Sequence, residues 1–244
     1  WIPGSYLLRE FARHLSGLTA RQGSRELALE QLDKATWQVR CSGRAALVLR
    51  YRVHAFDNSV RAAWLDAQRG FFNGTSLCLR VHGREQEAHQ LELVRLPADW
   101  QVATAMPALG ATRFEAADYD ELVDHPFELG RFWQGRFSAG GVEHRVVVSG
   151  ALPVFDGERL LADAKRICEG QIGFWHGKKR SDLPFKSYTF LLNAVDEGYG
   201  GLEHRASTAL IAPRRDLPRQ GHAEIGEGYL RLLGLISHEY FHSW

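Results

Sequence analysis

Methionine occurs once in this chain, at Met106, and cysteine only three times, at Cys41, Cys78 and Cys168. Three widely spaced cysteines provide neither the spacing of a metal site nor a disulfide framework. Buried thiols in a reducing compartment are the plain reading, which points to the cytoplasm unless a leader was removed toward the periplasm or the exterior. Long apolar runs are missing as well. None approaches the roughly 20 residues a membrane helix needs, so no membrane partner is expected. An excess of one charge is absent too. Thirty basic against 29 acidic residues leave a formal net charge of +1, no electrostatic reason to invoke nucleic acid or an anionic surface. There is no G-x-S-x-G and no P-loop, so serine hydrolase and nucleotidase chemistry have no support.

What is present divides into two textures. From about Ala45 to Gly150 the chain alternates apolar and polar residues, as in RAALVLRYRVHAF, SLCLRVHG, HQLELVRL, ATRFEAA and VEHRVVVSG, with Gly, Asn, Asp and Pro between the runs. That pattern predicts short antiparallel strands in a β-sandwich. From Phe155 the period changes. Leu160, Leu161, Ala164, Ile167 and Cys168 recur at helical spacing behind Asp156, a candidate N-cap. Two strands, SYTFLLNAV and ASTALIA, follow on either side of a loop, DEGYGGLEHR. A final helix is expected with Tyr229, Leu232, Leu233, Ile236 and Tyr240 on its buried face. The fold class is therefore α+β and multidomain, with a β-rich domain over 1–152 and the start of an α/β domain over 153–244.

The last helix carries the chemistry. His238, Glu239 and His242 form H-E-x-x-H, in which histidines one turn apart can bind one zinc ion from the same helix face. Glu239 sits round the helix from that face, placed to act as general base toward water activated by the metal. A chain of this composition acquires the motif by chance roughly 3% of the time, and two histidines and a glutamate within an apolar helix are costly without a partner. A catalytic zinc needs three protein ligands. The sequence stops two residues after His242, and it begins at Trp1 with neither an initiator Met nor a leader, so both ends are expected to be cut.

Four stretches together, WIPGSYLLREFARH, DHPFELGRF, GYGGLEHRAST and GLISHEYFHSW, resemble the glycyl aminopeptidase family of zinc metallopeptidases, within the gluzincin group. The resemblance implies a β-rich N-terminal domain before a thermolysin-like catalytic domain, often followed by a PDZ domain. It implies zinc held by His238 and His242, a third ligand from a glutamate downstream of Trp244, and Glu239 as the catalytic base. It further implies that Gly200, Gly201, Glu203 and His204 line the substrate, a peptide with a free N-terminus. The backbone there would pair with the peptide and Glu203 would hold its α-amino group. His204 stands where better-known relatives have Asn. The activity implied is hydrolysis of the N-terminal peptide bond, with a preference for small residues such as Gly or Ala.

Two alternatives remain open on the residues alone. One is a zinc endopeptidase on the same fold, the other a non-catalytic interaction module with a relic zinc helix. Glu203 or His204 as a third ligand within the chain is not excluded by spacing. His176, beside Lys178, Lys179 and Arg180, reads as part of a solvated basic loop. Trp133, Phe132 and Phe137 read as core or interdomain surface, Glu143 and His144 as strand alternation, and Cys168 as core.

Overall fold

The structure, a computed structural model, describes residues 7–177 and 183–244. The WIPGSY stretch and the basic run Lys178–Arg180 lie outside the described residues.

Strands begin earlier than the alternation suggests. β1 (Leu15–Gln22) and β2 (Arg25–Leu27) make one hairpin, β3 (Leu29–Gln31) and β4 (Trp37–Val39) another, and β5 (Leu47–Val53) pairs with β1. Next come β6 (Ala63–Leu65), β7 (Arg69–Phe72), the one-turn helix α1 (Gly74–Leu77), β8 (His89–Glu92), β9 (Gln101–Ala103), β10 (Arg113–Ala116), α2 (Tyr119–Asp124) and β11 (Phe127–Gly130). Every ladder among them is antiparallel, in several small sheets, one of order β6-β7-β11-β9 and another pairing β10 with β8. Their core gathers around Phe127, which stacks on Phe72 at 4.8 Å and meets Phe114 edge-on at 5.1 Å. The strand expected over SLCLRVHG does not form. Ser76 and Leu77 close α1, and Leu77 and Cys78 pack against this core from helix and loop. Burial there does not alternate: Leu77, Cys78 and Leu79 are half-buried in succession and Val81 is exposed.

A five-stranded mixed sheet follows, built from β12 (Trp133–Ala139), β13 (Val142–Ser149), β14 (Ser187–Val195), β15 (Gly200–Glu203) and β16 (Ser207–Pro213), in the order β12-β13-β14-β16-β15. β13, β14 and β16 run parallel, and the outer strands are antiparallel to their neighbours. The division expected at residue 152 therefore cuts through a sheet. β12 and β13 look like further β-domain strands because alternation does not name the partner, yet their ladder joins them to β14. β14 and β16 are buried along almost their whole length, as strands covered on both faces are.

One face of that sheet carries α3 (Gly157–His176) and α4 (Glu227–Phe241) over a shared core that includes Leu160, Cys168, Tyr188, Leu232 and Tyr240, with Trp133 and Phe137 packed against it. α3 starts where expected, with Asp156 Oδ1 accepting from the Arg159 N–H at 3.0 Å. The other face meets the small sheets. Val60 and Phe71 pack on Leu202 and Ala209, and Ala103 and Phe132 pack on Val147 and Leu191. Among the described residues no helix is long and apolar enough to cross a membrane.

Candidate metal centre and substrate edge

α4 is seated by polar contacts along its length. The Tyr229 hydroxyl donates to Asp163 Oδ2 at 2.9 Å, Arg231 pairs with Asp216 at 2.7 Å, and Gln171 Nε2 donates to the Ser237 carbonyl at 2.7 Å. Tyr240 is fully buried and meets His144 Nε2 at 2.9 Å, while His144 Nδ1 lies 3.0 Å from the Val142 carbonyl. The carbonyl fixes Nδ1 as a donor, and in the neutral ring Nε2 accepts the tyrosine O–H. Burial holds the His144 pKa below its usual value. His144 is thus an anchor of the motif helix, a role that strand alternation alone could not reveal.

The end of α4 brings the expected residues together. His238 and His242 are exposed, and their Nε2 atoms lie 3.3 Å apart. Two nitrogens bound at about 2.0–2.1 Å to a tetrahedral zinc stand about 3.3–3.4 Å apart, so the pair fits the ion. Glu239 is turned toward the protein and is only 5% exposed, with its carboxylate within 4.8 Å of a His242 nitrogen. Its Oε2 has no hydrogen-bond partner among the described residues, an orphaned acceptor of the kind a catalytic role explains. Burial, then the charge of Glu203, push its pKa up to about 7, and Arg61 opposes them.

Facing α4 is β15, an outer strand the sequence reading placed inside a loop. Alternation along it separates the four residues expected to line substrate. Gly201 and Glu203 face α4. A Cβ on Gly201 would fall 2.2 Å from the Glu239 carboxylate, so no larger residue fits while Glu239 stays in place. Glu203 Oε1 lies 3.8 Å from His242 Nδ1. Gly200 has open space where a side chain would be. His204 faces the opposite way. Its side chain is fully buried, 3.4 Å from Asp124 Oδ1, and Asp124 Oδ2 also accepts the Arg205 N–H. It holds the sheet to α2 and is turned away from the strand face that carries Glu203, unlike the substrate-lining place expected of it.

Glu203, Glu239 and His242 place one donor atom each within 4.8 Å of one another, a second grouping that could attract a cation. One imidazole cannot bind the same ion through both nitrogens. The Nε2 atoms of His238 and His242 have the spacing of two ligands on one ion, while His242 Nδ1 faces Glu203. Arg61 completes the site and was not singled out from the sequence, because 140 residues separate it from Gly201, whose carbonyl accepts from its Nη2 at 3.2 Å. The cysteines are free, and Cys168 is buried in the helix core, as expected. His176 packs its ring against Trp244, at 5.0 Å.

No curated protein matches the chain. In the crystal structure of the aminopeptidase N family protein from Idiomarina loihiensis, the matching region is 42% identical in sequence, with a TM-score of 0.93. The match covers 100% of this chain and 42% of that one, so the chain spans less than half the length of that relative. The peptidase M61 N-terminal domain matches residues 1–131, ending just before the five-stranded sheet opens at Trp133. The chain belongs to the M61 peptidase family, with the N-terminal domain of that family as its first half.

Proposed function

We propose that this chain is the N-terminal β-rich domain and the first part of the catalytic domain of a zinc aminopeptidase that removes small N-terminal residues. On this reading the small sheets form a sandwich, and the five-stranded unit opens a thermolysin-like domain. One observation carries it. A helix-borne histidine pair with zinc spacing sits beside an outer strand whose Glu203 faces the same helix. His238 and His242 would hold the ion, with a third ligand from a glutamate beyond Trp244. Zinc held there supplies Lewis acidity, polarising the scissile carbonyl and acidifying water. Glu239, with its raised pKa and unpartnered oxygen, accepts the water's proton and passes it to the leaving amine. Glu203 fixes the substrate's α-ammonium, which sets the first peptide bond against the metal and the base.

The test is a pair of substrates, a peptide with a free amine and its N-acetylated form, given to the full-length enzyme and to its Glu203→Gln variant. The parent should cleave only the free-amine peptide, and the variant should lose that cleavage by about 100-fold or more. Comparable cleavage of the acetylated peptide by the parent would establish the endopeptidase alternative. A full-length Glu239→Gln enzyme as active as its parent would refute the mechanism.

A further inference from the structure

The site has a cation that the aminopeptidase reading leaves without a task. Arg61 is half-buried, on the segment leading into β6, and donates one hydrogen bond to the Gly201 carbonyl. Glu239 is near enough to Arg61 to be influenced by its charge. A guanidinium presents five N–H donors in a planar fork that matches a carboxylate. The segment around it is held firmly. Val60 is buried on Leu202, the Val60 carbonyl accepts from Asn73 Nδ2 at 2.8 Å, and Asn58 accepts from Asn193 at 2.8 Å. Arg61 therefore reaches β15 from a rigid support.

Its position along the strand gives it a register. The Leu202 carbonyl accepts from Thr208 Oγ1 and the His204 N–H donates to the Ser207 carbonyl, so the even-numbered residues turn their backbone toward β16. Gly201, bonded to Arg61, turns outward, and Glu203 does so by the same alternation. A peptide adding antiparallel to this edge with its amine at Glu203 runs back toward Gly201. Two residues of strand cover about 6.5–7 Å, the separation of Glu203 from Gly201, so a dipeptide held by its amine at Glu203 sets its second residue opposite Leu202 and brings its terminal carboxylate level with Gly201, at Arg61.

Resting on the aminopeptidase reading, we infer that Arg61 binds the C-terminal carboxylate of dipeptides on the leaving-group side of the scissile bond, making the enzyme selective for dipeptides with free C-termini. The experiment compares kcat/KM for alanyl-alanine and alanyl-alaninamide in the full-length zinc enzyme and in its Arg61→Lys and Arg61→Ala variants. The parent should prefer the free acid by about tenfold or more, and the Ala variant should bring the acid-to-amide ratio close to one. The Lys variant keeps the charge without the fork and should fall between them, which also guards against loss of folding in the Ala variant. A parent ratio near one overturns the proposal. So do variants that lose both substrates equally, because that outcome assigns Arg61 to positioning β15. Failure of the aminopeptidase reading would show separately, as cleavage of N-acetylated peptides by the parent.

Discussion

The Glu239 carboxylate occupies the space that a side chain on Gly201 would need, 2.2 Å from the place of its Cβ. Glu239 and β15 therefore fix each other's place through one contact. Gly201→Ala must push Glu239 aside or move β15. In the full-length enzyme kcat should fall by about 100-fold, as expected for a misplacement of about 1 Å, with zinc content unchanged. Steady-state kinetics with metal analysis on the same sample checks it, and a fully active Ala variant would contradict the packing.

The histidine pair should hold the metal. In the full-length enzyme His238→Ala or His242→Ala should leave less than about a tenth of the parent's zinc after dialysis, since losing a ligand weakens binding steeply. The 244-residue chain alone should bind zinc only weakly. One tightly held ion per chain would instead make Glu203, 3.8 Å from the His242 ring, the third ligand.

Burial lowers the His144 pKa. The unfolded chain binds a proton near pH 6.5 and the folded chain resists it. Stability from this group is therefore complete above about 6.5 and is lost as pH falls below that value. The loss should reach at most about 1.4 kcal/mol per pH unit. His144→Gln should flatten the slope of unfolding free energy between pH 6.5 and 5 in denaturant titrations. An unchanged slope would remove His144 from the account.

Glu128 is buried under a two-bond clasp from Arg69, at 2.6 and 2.7 Å, and also accepts from the Ser149 hydroxyl of β13. The clasp ties β7 and β11 to the five-stranded sheet. Arg69→Met leaves a carboxylate buried without its cation and should cost about 3–5 kcal/mol. Thermal unfolding reads this directly, and a variant within about 1 kcal/mol of the parent would show that the clasp matters little.

Local chemistry made much of the molecule legible in advance. Periodicity located α3 with its Asp156 cap, α4, β13, β14 and β16, and the spacing of His238 and His242 put two imidazoles side by side at one end of α4, because these features depend on neighbours within a turn or a strand. Tertiary structure decided the rest, because hydrogen-bond partners across a sheet leave no local trace. It assigned β12 and β13 to the second sheet, drew β15 out of a loop, and turned His204 inward to Asp124 while Glu203 faced His242 at the end of α4. It also delivered Arg61 from another layer to Gly201, a contact that no spacing in the sequence could announce.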